Sequence, residues 1–354
     1  MKATIAILVA PYTIDFVEED LPEVGDDDML IKMDAVGLCH SDLPGYVGSS
    51  IVQQSKYGYS EPGSVSYPVQ IGHEAIATVM ETGKNVSKFR QGDHISGRLR
   101  QCFRTHMVIR QADQLSTTTM LFKLPSMQQD YLCCLAEPLE CVVNIARIAA
   151  PEFQSNVAVV GCGVMGLLTM AALSTSGARR LAAIDLLDNK LEMAKSMGAT
   201  DIINPKSVDS MSEWAYSLTE GRFFDVVIEI TGSIHGLDTA MQIVKYTHND
   251  GHTVNQYVGN GRVLIPSVYS REEVFPARLG LNIMVRSPII QAVHPVYSID
   301  PMYNEVLGIE AFLGGILPME KMITHRVAFD QLTTGLNWLI KPPDDYIKGI
   351  VVFD

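Results

Sequence analysis

The chain has 354 residues, 47% of them apolar and 19% charged, with a net charge of −13. That acidity argues against nucleic acid held through its phosphates, which takes a basic face. No stretch approaches the ~20 consecutive apolar residues of a membrane span, and the length allows about two domains at roughly 150 residues each.

Met1–Ala10 reads as a short strand with one lysine and no cleavage-like site, which points to a cytoplasmic protein. The pattern stays β-rich to about residue 110. Ala3–Ala10, Met29–Val36, Ala75–Glu81 and Met107–Ile109 are alternating or apolar runs between Pro, Gly and Asp clusters. Two motifs interrupt it, Gly37-Leu-Cys-His-Ser-Asp42 and Gly72-His-Glu74, with a long loop, residues 44–68, between them. Glu81–Asp93 reads as two turns between strands. Residues 127–150 turn helical, with Leu132, Leu135, Leu139, Val142, Val143 and Ala146 near a 3.6-residue period. Glu137-Pro138 predicts a kink or a helix boundary within that stretch.

From 156 to about 285, strand and helix alternate. Strands are expected at Val157–Val160, Leu181–Ile184, Ile202–Ile203, Val226–Ile230 and His252–Val258. Helices are expected to about Ser176, over Asn189–Met197 and near Leu237–Tyr246. That order predicts a doubly wound parallel sheet. The tail returns to mixed character and ends in the strand-like Gly349–Phe353. Similar character on both sides of the α/β block predicts an insertion: residues 1–146 and 286–354 form one discontinuous domain, and 147–285 the inserted one.

The run Val157–Val160 leads into Gly161-x-Gly163-x-x-Gly166, with Val164 and Met165 opening the helix that follows. Glycines at this spacing let the backbone approach a pyrophosphate, and the free N–H groups of a helix N-terminus favour its charge. Asp185 closes the next strand, where a carboxylate can accept hydrogen bonds from both ribose hydroxyls and repel a 2′-phosphate. No Arg or Lys follows it before Lys190, so NAD is favoured over NADP. Thr231 follows the strand ending Glu229-Ile230, where such sheets usually meet the cofactor. The bland alternative is a glycine turn without a nucleotide.

Cys39, His73, Glu74 and Glu137 lie far apart in sequence, so spacing alone does not make them a metal site; a catalytic zinc takes ligands from distant loops and keeps one position open. The chain resembles the medium-chain, zinc-dependent alcohol and polyol dehydrogenase family. The matching residues are Gly37–Asp42, Gly72-His73-Glu74, Gly83, Gly92-Asp93, Glu137-Pro138-Leu139, the glycine loop with Asp185, Met197-Gly198-Ala199 and Ile323-Thr324-His325. They run in family order along nearly the whole length.

The resemblance implies a GroES-like β-rich catalytic domain with an inserted Rossmann domain. It implies Cys39 and His73 as zinc ligands, Glu74 as a ligand or an exchanging one, and Glu137 as a ligand or close neighbour. Ser41 would hydrogen-bond the substrate hydroxyl, and Asp42 would orient a ligand histidine. His40 would touch the pyrophosphate or stand solvated. The activity implied is hydride transfer between NAD and a secondary alcohol that zinc acidifies. Relatives are usually dimers or tetramers, so a homodimer or homotetramer is expected, with His252–Val258 as the pairing edge.

Two departures matter. Many members carry a structural zinc on four closely spaced cysteines after Gly-Asp, and here only Cys102 stands in that region, so one catalytic zinc and no structural zinc is expected. Where many members place a proton-relay histidine, this chain has Pro44. Glu137-Pro-Leu and the missing lobe lean towards polyols, sugars, cyclitols or amino-alcohols. Specificity is expected in residues 44–68 and Arg286–Tyr303, with Tyr46, Tyr57, Tyr59, His294 and Tyr297 as hydrogen-bonding or packing residues. The competing readings are a zinc-free, NADPH-dependent enone or quinone reductase of the same fold and a non-catalytic NAD-binding sensor. The six cysteines show no CxxC pair, and most read as buried, inert thiols.

Overall fold

The computed structural model describes residues 1–48, 65–114, 119–125, 131–246, 261–267, 275–293 and 300–353. These fall into two compact units, Met1–Pro138 with Met319–Asp354, and Leu139–Pro318.

The first unit opens with the antiparallel pair β1 (Lys2–Ala10) and β2 (Thr13–Asp20). Within β1, Ala3, Ile5, Ala6 and Leu8 are buried, whereas β2 is exposed along nearly its whole length and half its residues are acidic. That is why β2 leaves no period-two trace in the sequence. The strands β3 (Met29–Gly37), β4 (Glu74–Thr82), β5 (His94–Leu99), β6 (His106–Ile109) and β7 (Thr119–Lys123) follow, with a short helix α1 (Leu43–Val47) after β3. β5 follows the turns read at Glu81–Asp93, but it is buried almost throughout and shows no alternation to mark its bounds. The α2 helix (Ala136–Ala149) begins with Pro138 in its first turn, the boundary that Glu137-Pro138 predicts.

The second unit carries β8 (Asn156–Val160), α3 (Val164–Leu173), β9 (Arg180–Ile184), α4 (Asp188–Ser196), β10 (Asp201–Ile203), α5 (Met211–Leu218), β11 (Val226–Glu229) and α6 (Ile234–Ile243). It continues with β12 (Arg262–Ile265), α7 (Ala277–Arg286), β13 (Ile289–Ala292) and α8 (Pro301–Leu313). Among its described residues six strands are all parallel, in the order β10-β9-β8-β11-β12-β13, the arrangement of a Rossmann sheet. Every residue of β8 is buried, as expected of a central parallel strand covered on both faces.

Chain returning to the first unit adds α9 (Met319–Met322), β14 (Ile323–Ala328), α10 (Leu332–Ile340) and β15 (Lys348–Val352). The seven-stranded sheet then reads β14-β15-β3-β4-β5-β7, with β6 also paired to β3. β3 has neighbours on both sides and contributes Met29, Ile31, Met33 and Val36 to the core.

Both domain seams differ from the sequence pattern, which set them at 146/147 and 285/286. The mixed-looking residues after 285 supply β13, the sixth parallel strand, and so belong to the inserted unit. The expected strand His252–Val258 lies outside the described residues. No helix among the described residues is long and apolar enough to cross a membrane.

Candidate active site

The site grows from the end of β3. Leu38 N–H donates to the Gly349 carbonyl of β15 at 2.9 Å, and a tight turn, His40–Asp42, follows Cys39. Asp42 is buried, and its Oδ1 accepts from the Gly72 N–H at 3.0 Å and lies 3.2 Å from His73 Nδ1. Held at Nδ1, the imidazole turns Nε2 towards Ser41, whose Oγ lies 3.1 Å from Nε2 and donates to Cys39 Sγ at 3.3 Å. Burial alone would lower the His73 pKa, but hydrogen bonds to Asp42 and Cys39, and their charges, outweigh it and hold it well above the usual value. His40 is exposed on the same turn.

Glu74, the first residue of β4, is 1% exposed. Lys348, at the start of β15 and itself buried, donates to Glu74 Oε1 at 2.7 Å and lies 2.7 Å from Oε2. Burial opposes the lysine's charge, yet the negative charges of Glu74 and Cys39 prevail and raise its pKa. The carboxylate also lies against Gly37, where a Cβ would stand 1.8 Å from Oε2, so only glycine leaves room for it.

Cys39, His73 and Glu74 each offer a ligand atom within 4.8 Å of the others. Glu74 Oε2 is buried 2.7 Å from the Lys348 ammonium, and a carboxylate oxygen so paired keeps a second lone pair for a metal. Thiolate, imidazole and carboxylate are together a donor set that zinc takes at catalytic sites, and Asp42 on Nδ1 leaves Nε2 its lone pair. The residues present therefore fit a zinc ion.

Glu137 stands outside that three-donor group. It lies in the first turn of α2, where Ala136 N–H donates to Ser96 Oγ at 3.0 Å and Ser96 Oγ donates to the Ala75 carbonyl at 3.1 Å, tying the helix start to β4 and β5. Arg98 Nη2, also buried, donates to Glu137 Oε1 at 3.5 Å. Burial raises the Glu137 pKa, with the charge of His73 opposing, that of Glu74 reinforcing and that of Arg98 opposing the shift. Lys348 and Arg98 are the two site residues that sequence reasoning missed. Each is a lone charge inside a buried strand, and that mismatch is the signal that marks them.

In the second unit, backbone rather than side chains forms the candidate cofactor loop. Gly161 has a φ of +105°, and a Cβ on Gly166 would stand 1.9 Å from the Gly161 carbonyl oxygen. Gly163 caps α3, and Val164 and Met165 occupy its first turn. The Asp185 carboxylate accepts from the N–H groups of Cys162 at 2.7 Å and Leu187 at 2.9 Å, which fixes it beside the loop. Thr231 N–H donates to Glu229 Oε1 at 2.8 Å, as does its hydroxyl, and the side chain is exposed at the end of β11.

Of the residues read as hydrogen-bonding or packing near the substrate, only Tyr46 lies among the described residues. Tyr46 is fully buried and donates to Asn337 Oδ1 at 2.9 Å, so it packs. Arg286 is buried between the rings of Phe223 and Tyr246 and donates to the Val244 carbonyl at 2.9 Å, which makes it a brace for α7. Tyr57, Tyr59, His294 and Tyr297 lie outside the described residues. Cys102 is buried with its pKa driven up by burial, and Cys134 and Cys162 are pushed up to about 12 by the same cause, so these thiols stay protonated.

Residues 25–137 match the family described as "Alcohol dehydrogenase GroES-like domain", and residues 164–255 the one described as "Zinc-binding dehydrogenase", together more than half of the chain. The chain is 24% identical to a sorbitol dehydrogenase of Bacillus subtilis, over 94% of this chain and 92% of that protein. It is 25% identical to an L-threonine 3-dehydrogenase of Caldanaerobacter subterraneus, over 92% of each. The crystal structure of 2R,3R-butanediol dehydrogenase from Bacillus subtilis shares the fold with a TM-score of 0.74 at 22% identity, covering 99% of both chains. The chain belongs to the zinc-type medium-chain alcohol and polyol dehydrogenase family, and is an oxidoreductase of that kind.

Proposed function

We propose that the chain interconverts a secondary alcohol and its ketone, with NAD(H) as hydride partner and one zinc ion held by Cys39, His73 and Glu74. The observation that carries this reading is the grouping of those three donors within 4.8 Å of one another. A zinc ion there supplies Lewis acidity, which lowers the pKa of an alcohol and polarises a carbonyl.

The remaining steps belong to the chain. Ser41 Oγ, already between Cys39 and His73, accepts the substrate hydroxyl's hydrogen bond and orients it. Asp42 keeps His73 in one tautomer and orientation. In the second unit, the first-turn amides of α3 and the open space beside Gly163 admit the pyrophosphate, Gly166 lets α3 pack on the Gly161 carbonyl, and Asp185 accepts from the ribose hydroxyls. The same carboxylate disfavours a 2′-phosphate, which supports NAD over NADP. A polyol, sugar, cyclitol or amino-alcohol is the proposed substrate class, supported by the sorbitol and threonine dehydrogenases among the relatives.

A second copy of the chain is the proposed partner. Among the described residues β13 ends the parallel sheet, its four residues are all exposed, and Ile289, Ile290, Met284 and Val285 are exposed apolar residues at or just before it. A bare apolar edge of this kind is a template for strand pairing. Sedimentation should give a dimer or tetramer that Ile290→Lys dissociates, and a monomeric wild type would refute the pairing. The function itself is tested by following reduced-nicotinamide formation with polyols, sugars, cyclitols and amino-alcohols, using NAD and NADP in parallel. Turnover with NAD that a chelator abolishes is expected. Turnover indifferent to chelator, or with NADP alone, would contradict the reading.

A further inference from the structure

The site contains two buried carboxylates, and either has the chemistry to bind a metal. Sheet register bears on the choice between them. Glu74 and Arg98 are directly opposite on β4 and β5, which puts both side chains on one face of the sheet. Lys348 approaches Glu74 from β15 and stands 2.7 Å from both its oxygens. Glu137 enters from α2, close enough to His73 and Glu74 for their charges to act on it, and meets Arg98. Each carboxylate thus has its own buried cation, yet only Glu74 falls within the 4.8 Å group with Cys39 and His73.

We infer that Arg98 is a positioning residue: it holds Glu137 away from the metal and so keeps one coordination position open for substrate. This rests on the zinc reading above. Three protein donors leave a catalytic zinc accessible, whereas four close it as in a structural site. A buried carboxylate deprived of its cation is left uncompensated at high cost. Without Arg98, the metal beside His73 and Glu74 is a charge that can compensate Glu137, which then becomes a fourth donor.

Cobalt-substituted protein tests this, with imidazole as a neutral probe of the open position. In the wild type, cobalt should give a thiolate charge-transfer band from Cys39, and imidazole should shift the d–d bands. In Arg98→Leu the charge-transfer band persists, but imidazole binding weakens by about tenfold or more, since closely coupled residues interact on that scale. Adding Glu137→Gln to that variant should restore imidazole binding, and Arg98→Lys should retain most of it. Glu137→Gln alone, which removes no cation, should leave cobalt affinity and imidazole binding unchanged.

Imidazole binding to Arg98→Leu as strong as to the wild type would overturn the inference, as would a double variant no more open than the single one. Loss of cobalt affinity in Glu137→Gln would overturn it too, because Glu137 would then be a ligand already. A wild type that takes up cobalt without a thiolate band would instead refute the zinc reading on which the inference stands.

Discussion

The two units make their sites from opposite materials. In the inserted unit the candidate cofactor loop is made of backbone: what matters at Gly161, Gly163 and Gly166 is the side chain that is missing, and Asp185 is fastened by main-chain amides. In the other unit the site is made of side chains, each held by another. Asp42 holds His73, Lys348 holds Glu74 and Arg98 holds Glu137. A backbone site tolerates change in its side chains but not in its spacing. A site of paired buried charges is vulnerable at every partner, because removing one leaves the other uncompensated.

That contrast can be broken by substitution. The largest effect is expected at Lys348: Lys348→Met strands the Glu74 carboxylate and should cost about 3–5 kcal/mol of stability, read from denaturant unfolding. Lys348→Arg should keep most of it. If Lys348→Met unfolded like the wild type, the ion pair would not be holding the site. A smaller loss, about 1–3 kcal/mol from overpacking, is expected for Gly166→Ala, where the new methyl meets the Gly161 carbonyl. Nucleotide affinity should fall with it, whereas zinc content should not. Asp185→Ser should be milder still for folding. Its signature is a weakening of NAD binding by about tenfold, the scale of one lost charge-assisted hydrogen bond, with NADP discrimination reduced. Unchanged cofactor preference would remove Asp185 from the cofactor site.

The same contrast explains how much the sequence reveals. The nucleotide loop is legible because strand, glycines and helix are contiguous, and the observed β8, α3 and β9 match their expected places closely. The metal donors are legible only as a family pattern, since Cys39, His73 and Glu74 meet through a sheet whose order, β15-β3-β4-β5, is not a sequence order. Lys348 and Arg98 escape notice because each is one charge in a strand, and nothing local says that a carboxylate waits across the sheet. β2 and the bounds of β5 are not legible for opposite reasons: one strand is almost wholly exposed and the other almost wholly buried, so neither alternates. Tyr46 could be read as hydrogen-bonding or packing, and burial decides for packing, with its hydroxyl turned to Asn337.

The central claim is that Cys39, His73 and Glu74 hold the one metal ion on which turnover depends. Metal analysis of the purified protein, alongside Cys39→Ser, tests it most directly. The account predicts about one zinc per chain in the wild type and almost none in Cys39→Ser, with turnover of a verified substrate falling by about a thousandfold or more. A wild type without zinc, or a Cys39→Ser variant that keeps both its zinc and its turnover, would contradict it.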